Sequence, residues 1–300
     1  MPPAETEQGI PPVTVRTLLC HRDVEMALHC LGSLVQCSAD PITIAVHDDG
    51  SLTAEDRERL AQALPGSRVI ERHEADEIMG ERLAKHEGAR AFRAGSVWGL
   101  KLLDVALVEA GDCYYIDGDV RFFRPFSGLF CRAALAGGSV FLRDTVWTAY
   151  SVRPWHLLDR RGLRVCEGIN TGLTLIDRAK YDLDFVDWFL RQPDWRVIPA
   201  WTEPTCWAAL ALRANGRAVH PEDLVNLYPR SRVTPATIGA HFLSAHRRFF
   251  QADYLKPVET GAPPVAVRTV ALGQVGPLGL GWNQLTRKIG NEIARRKAKP

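Results

Sequence analysis

The sequence predicts an α/β protein built on a doubly wound, mostly parallel sheet, and two observations predict it. From residue 13 to residue 126, short runs of β-branched and aromatic residues alternate with segments whose apolar residues recur at helical spacing. Three of those runs end in polar clusters, His21-Arg22-Asp23, His47-Asp48-Asp49 and Asp117-Gly118-Asp119. Ligands of open α/β sheets bind beyond the carboxyl ends of the strands, where such clusters would lie.

Residues 1 to 12 form a Pro-rich lead-in, and Val13 to Cys20 reads as a buried strand. Val24 to Val35 has the apolar spacing of a helix, which completes a first βα unit. Ile42 to Val46 is a second strand, and Ser51-Leu52-Thr53 caps a helix over Ala54 to Leu64. A third strand spans Ser67 to Glu71, followed by helical patterns over Ala75 to Lys85 and Val97 to Val108. Cys113 to Ile116 then has the length and composition of a buried strand, running into Asp117-Gly118-Asp119. In the second half, strands are expected at Val140 to Arg143, Ile169 to Asp177 and Thr237 to Phe242, with helices from Tyr181 to Leu190 and from Thr202-Glu203-Pro204 to Arg213.

Composition narrows the function. At 300 residues and 46% hydrophobic content the chain can bury a large core, so one elaborated domain or two intimate ones is expected. A formal net charge of +2 argues against a nucleic-acid partner. The amino terminus lacks a basic start and an apolar run, no stretch is long enough to span a bilayer, and a cytoplasmic protein is expected. Seven cysteines without a Cys-x-x-Cys read as reduced core thiols rather than a zinc site. Neither Gly-x-Gly-x-x-Gly nor the P-loop pattern occurs. A bound nucleoside diphosphate would therefore need charge compensation from a metal and basic side chains.

Two carboxylates at one strand end repel unless a cation or water separates them. Asp117 and Asp119, with Gly118 leaving the backbone open to a ligand, suit a hard divalent metal carrying phosphate oxygens. The bland reading, a strand-end turn with solvated acids, accounts for the tripeptide as well.

In order along the chain, Tyr115-Ile116-Asp117-Gly118-Asp119-Val120, Lys101 on the preceding helix, Ile169-Asn170-Thr171-Gly172-Leu173 and His241-Phe242-Leu243-Ser244-Ala245-His246-Arg247 resemble the GT-A glycosyltransferases. The closest resemblance is to glycosyltransferase family 8, the group of glycogenin and the bacterial lipopolysaccharide galactosyl- and glucosyltransferases. The four places match the family's Asp-x-Asp strand, an Arg position, the Phe-Asn-x-Gly strand and the closing His-x-x-Gly-x-x-Lys. The chain departs from the pattern with Ser244 for Gly, Arg247 for Lys, Arg248-Phe249 for Pro-Trp, and Glu203-Pro204 for an Asp-Gln pair.

The resemblance implies a GT-A-like mixed sheet over residues 13–255, with a nucleotide-sugar-binding half (13–126), an acceptor half (127–255) and a carboxy-terminal extension (256–300). It implies metal-dependent transfer of a sugar from a nucleoside-diphosphate sugar, a UDP-sugar, to a glycan, lipid-linked or other hydroxyl acceptor. Mn²⁺ or Mg²⁺ would be held by Asp117, Asp119 and His241, with His246 as a rival ligand. Arg247 and Lys101 would face the diphosphate. Cys20, His21, Arg22, Asp48 and Asp49 would line the base and ribose, and Asn170 and Glu203 would face the sugar and acceptor. A phosphohydrolase of the haloacid dehalogenase kind also carries Asp-x-Asp, but Arg121 stands where its Thr or Val is wanted. A non-catalytic nucleotide-sugar binder is a third reading. Trp147, Trp155, Trp195 and Trp201 are candidates for sugar stacking or for core. In the tail, Leu285, Ile289 and Ile293 recur among Arg287, Lys288, Arg295, Arg296, Lys297 and Lys299. Such a basic amphipathic helix either packs as a terminal helix or lies on an anionic membrane surface.

Overall fold

The computed structural model describes residues 11–144, 150–158, 163–192, 198–228, 231–243, 247 and 261–297. The first half follows the expected alternation: β1 (Val13–Leu19), α1 (Val24–Cys37), β2 (Ile42–Asp48), α2 (Ala54–Ala63), β3 (Arg68–Ile70), α3 (Arg72–Arg82) and α4 (Glu87–Gly95). A further helix then runs as α5 (Val97–Gly99), a π turn over Leu100–Asp104 and α6 (Val105–Leu107), leading to β4 (Cys113–Ile116). The second half holds β5 (Val120–Phe122), β6 (Phe126–Ser127), α7 (Arg132–Leu135), β7 (Val140–Arg143), β8 (Ile169–Ile176), α8 (Leu183–Leu190) and α9 (Pro199–Arg213). It continues through β9 (Arg217–Val219), β10 (Leu224–Asn226), β11 (Gly239–His241), β12 (Val265–Ala266) and β13 (Thr269–Ala271) to α10 (Pro277–Lys297).

The main sheet has eight strands in the order β13-β9-β7-β8-β4-β1-β2-β3. Strand β1 lies in parallel between β2 and β4, while β4 pairs antiparallel with β8. The sheet is therefore mixed: the all-parallel run β3-β2-β1-β4 meets its first antiparallel partner, β8, at β4, the strand that leads into the two acids. Each face is covered. On one side α1 sets Ala27, Leu31 and Leu34 against Val15, Val46 and Ile116. On the other, the π turn and α9 set Leu102, Leu103 and Trp207 against Tyr115 and Phe141. Buried apolar area on both faces is the main stabilising term of such a sheet.

Several boundaries differ from the sequence reading. β2 runs through Asp48, so His47 and Asp48 belong to the strand rather than to the loop beyond it. The helix expected from Thr202-Glu203-Pro204 begins at Pro199, whose missing N–H costs nothing in a first turn. Pro204 sits inside that helix and removes one donor there. Helix α4 is additional to the expected elements, as are the short strands β5, β6, β9, β10, β12 and β13. β13 joins the main sheet through β9 and β12 pairs with β6, so part of the expected extension is woven into the domain. The seven cysteines are free, as expected. Among the described residues no helix is long and apolar enough to cross a membrane.

Candidate active site

Three strands converge on the Asp117-Gly118-Asp119 turn. The turn leaves β4 and re-enters β5, against which β11 pairs antiparallel with His241 opposite Val120. The Phe242 N–H donates to the Asp119 carbonyl at 2.8 Å, and the Asp117 N–H donates to the Gly172 carbonyl of β8 at 2.8 Å. This register brings His241 beside the acids. Gly172 is required for the approach, because a Cβ there would lie 2.4 Å from His241 Cε1 and 2.6 Å from its Nδ1. Gly118 also serves the packing of the turn. A Cβ on it would come within 3.1 Å of the Ala27 Cβ, so its lack of a side chain lets α1 pack against the turn.

Side-chain atoms of Asp117, Asp119 and His241 lie within 4.8 Å of one another. His241 Nε2 is 3.1 Å from Asp119 Oδ1 and 3.7 Å from Asp117 Oδ2. Arg247 donates from Nε and Nη2 to Asp119 Oδ2 at 3.1 and 2.9 Å, and from Nη1 to Asp23 Oδ2 at 2.8 Å. Burial would raise the Asp119 pKa, but the charges and hydrogen bonds of His241 and Arg247 outweigh it and hold the carboxyl at about 2. Asp119 Oδ1 is buried, and the group facing it is His241 Nε2 at 3.1 Å. When that nitrogen carries no proton the buried oxygen has no donor, which is costly, and a cation between the two would relieve it. Two carboxylates and an imidazole form a donor set that could hold a divalent cation.

The orientation of His241 is fixed from behind. Asn226 donates through Nδ2 to the Arg143 carbonyl at 3.0 Å and to Asp144 Oδ1 at 2.7 Å, which turns its Oδ1 towards His241 Nδ1 at 3.1 Å. With Nδ1–H donated to Asn226, Nε2 is the nitrogen that faces the carboxylates. Asp144 Oδ1 also accepts from Tyr228 Oη at 2.8 Å and from Asn170 Nδ2 at 3.2 Å. Burial raises the Asp144 pKa despite these bonds.

Lys101 lies on the π turn, an irregularity that recurs at functional sites. Its Nζ donates to Asp117 Oδ2 at 2.8 Å, and Asp117 Oδ1 accepts from the Tyr115 hydroxyl. Burial would lower the Lys101 pKa, but Asp117 and Glu203 more than offset it, and the ammonium is held above its ordinary range. Glu203, on α9, is fully buried. Its Oε2 accepts from Thr171 Oγ1 at 3.0 Å, and its Oε1 has no partner. Burial drives its pKa up to about 7, opposed by Lys101 and assisted by Asp117.

The residues expected around the base and ribose are placed less uniformly. Cys20 is half-buried where β1 ends, His21 Nδ1 bonds Asp56 Oδ2 at 2.6 Å, and Arg22 turns its guanidinium to Asp23. Asp48 is buried. Its Oδ1 accepts from the Gly50 and Leu52 N–H groups at 2.7 and 3.1 Å, and its Oδ2 from Arg57 at 3.1 Å. Asp48 therefore builds its own turn, whereas the carboxylate of the half-exposed Asp49 holds Ser51. The cap of α2 is Thr53, in a reciprocal box with Asp56. Asn170 has both ends of its amide engaged, with Asp144 and with the Gly172 N–H at 2.9 Å. Trp155 is exposed, and Arg287 stacks over Trp201 at 3.9 Å. Trp147, Trp195, His246, Arg248, Phe249 and Lys299 lie outside the described residues.

The sequence reading named Asp23 and Tyr115 within their motifs without giving either a role, and it missed Asp144, Asn226 and Tyr228. Asp144 directly follows a strand that the sequence did reveal, so the strand-end rule applied to the other acids would have found it. Asn226, in a three-residue strand, left no such signal.

No protein-family model matches the chain, and no curated protein matches it. Solved structures do. Mouse xyloside xylosyltransferase 1, in its apo form, superposes with a TM-score of 0.53 at 12% identity, covering 79% of this chain and 99% of that one. Core-mannan synthase A from Aspergillus fumigatus, in an Mn/GDP form, gives 0.42 at 10% identity over 70% of this chain and 72% of that one. The galactosyltransferase LgtC, in complex with donor and acceptor sugar analogs, gives 0.46 at 10% identity over 77% and 87%. The fold is that of the GT-A glycosyltransferases.

Proposed function

We propose that the chain transfers a sugar from a nucleoside-diphosphate sugar, a UDP-sugar, to a hydroxyl acceptor at the carboxyl end of β4. The observation that carries this reading is the Asp117, Asp119 and His241 cluster, with Asp119 Oδ1 buried against the imidazole, at the parallel-to-antiparallel junction of a GT-A sheet. Asp117, Asp119 and His241 would hold a divalent ion, which would supply positive charge to the leaving diphosphate.

The chain's own residues divide the remaining work. Arg247 presents a planar fork that now holds Asp119 and Asp23, and it is the group on hand to take diphosphate oxygens. Lys101 holds Asp117 and keeps the cluster from excess negative charge. Asp49, with Cys20, His21 and Arg22, borders the region for base and ribose beyond β1 and β2. Asn170 and Glu203 lie on the sugar side. In a retaining route the diphosphate oxygen accepts the acceptor's proton, and Glu203 holds the sugar; in an inverting route Glu203 Oε1 takes that proton. The acceptor is a carbohydrate or a lipid-linked hydroxyl.

Calorimetric titration of UDP and of GDP, each with Mn²⁺ and with EDTA, tests the reading without an acceptor. Metal-dependent binding of one nucleotide, lost in Asp119→Ala, is the expected result. Binding of neither under any metal condition removes the reading. Tight donor binding without hydrolysis or transfer to any acceptor would leave a nucleotide-sugar binder instead.

A further inference from the structure

We infer that α10 is an interfacial helix that docks the protein on an anionic bilayer surface. Its two faces are unequal. One is held by the domain: Leu280 is fully buried, Gln284 Nε2 donates to the Val152 carbonyl at 2.8 Å, and Arg287 stacks on Trp201 at 3.9 Å. The opposite face carries Leu278, Trp282, Leu285, Ile289 and Ile293, which are 90%, 69%, 49%, 51% and 49% exposed. At about 3.6 residues per turn these five positions form one stripe along the helix. Large apolar residues scattered over a surface are ordinary, but five aligned on the outer face of a single helix are a patch that something covers.

Charge identifies the occupant. The helix carries Arg287, Lys288, Arg295, Arg296 and Lys297 against Glu292 as its one acid. Lys288 is exposed beside the stripe, and the remaining basic residues cluster towards the end of the helix sequence. An apolar stripe with a Trp on a helix rich in basic residues fits the boundary between acyl chains and anionic headgroups, where long basic side chains reach outward to phosphate. A second protein copy would bring the same basic sequence and no matching set of acids. The contact surface extends beyond the helix, because Pro154 packs on Gly281 and the turn Pro154–Leu158 exposes Trp155 and Leu158, at 64% and 70%.

The docked helix lies against the start of α9, the helix that carries Glu203. Resting on the glycosyltransferase reading, this places the acceptor side of the site towards the lipid surface and makes a membrane-borne hydroxyl the fitting acceptor.

Vesicle flotation of the intact chain tests the inference. Binding to phosphatidylcholine vesicles containing a quarter phosphatidylglycerol should exceed binding to pure phosphatidylcholine by about tenfold and should weaken in high salt. The double variant Trp282→Ser/Ile289→Ser should lose about tenfold or more of that binding, and Lys288→Glu a smaller share. These side chains are exposed, and an unchanged thermal midpoint would confirm that the variants fold. Failure of the intact chain to float with anionic vesicles, or undiminished binding by the double variant, overturns the inference. So does a dimer in light scattering that the double variant dissolves, since the stripe would then belong to a second copy. Flotation uses no nucleotide and the donor titration uses no lipid, so either reading can fail alone.

Discussion

Two acidic strand ends, Asp48 at the close of β2 and Asp119 after β4, look alike in the sequence and behave differently in the fold. The partners of Asp48 are Gly50, Leu52 and Arg57, all within nine residues, and they satisfy both of its oxygens. Those of Asp119 are His241 and Arg247, brought from the far end of the domain, one on each of its oxygens. Local saturation marks an acid that builds a turn. Convergence of distant cations on a buried acid is what the proposed metal site would need, because the fold has brought long-range groups together where a local turn would not require them.

Exchanging the two acids for alanine gives the largest effects and the sharpest contrast. Asp119→Ala should weaken metal-dependent nucleotide binding by more than about a hundredfold, since it removes a proposed ligand outright. Asp48→Ala should leave that binding within about threefold of the parent while costing about 1–3 kcal/mol of stability, because two backbone N–H groups and Arg57 lose their acceptor. Paired calorimetry and denaturant melts measure both. If Asp48→Ala also abolishes binding at unchanged stability, the distinction between the two acids is wrong.

Gly172→Ala tests the same contrast from the other side. The added methyl would collide with the His241 ring, so the imidazole must leave its position. Metal affinity is expected to fall about tenfold to a hundredfold with the secondary structure retained, as read by calorimetry and circular dichroism. Gly118→Ala should instead act on stability through α1, because its nearest neighbour is Ala27.

Glu203 gives a pH-dependent test. Its folded pKa is about 7 against an ordinary 4.5, so between those values the native state holds a proton that the unfolded chain has released. Stability therefore falls as pH rises through that window, by about 3 kcal/mol in all, and levels off above it. Glu203→Gln should remove this slope in melts followed across the window. If the inverting route holds, the same variant also removes a rising limb of kcat near pH 7. A melt whose pH dependence is unchanged by the substitution would contradict the buried, near-neutral acid.

The legible parts of the sequence were those where period and composition agree. β1, α1, β2 and β4 are long enough for their apolar spacing to stand out, and they fix the rim on which the acids sit. Helix α4 was hidden because its buried face is Gly88, Ala89 and Phe92, mostly small residues that let it approach α8 closely. A Cβ at Gly88 would lie 2.6 Å from Arg191 Cγ, a contact that no pattern of hydrophobicity reveals. The two- and three-residue strands were hidden for a related reason: they are too short for alternation to register, and their pairing is set by the sheet they join. His241 was reached through resemblance, and its supports Asn226 and Asp144 were not reached at all, because a hydrogen-bond relay has no sequence period.

That relay allows the finest test of the difference between local and convergent acids. Asn226 receives the His241 Nδ1–H, on the side of the ring away from the cluster, and is itself held by Asp144. Asn226→Leu keeps the approximate volume but removes the acceptor, so the imidazole loses the bond that selects Nε2 as the inward nitrogen. Metal affinity should fall about tenfold, less than for Asp119→Ala, and nitrogen-15 spectra of the metal-free protein should show the Nδ1 proton in faster exchange. A lower affinity with an unchanged imidazole spectrum would mean that Asn226 acts by packing alone. Both changes together would mean that Asp144, just past the end of β7, sets the chemistry of the metal-facing nitrogen through one amide.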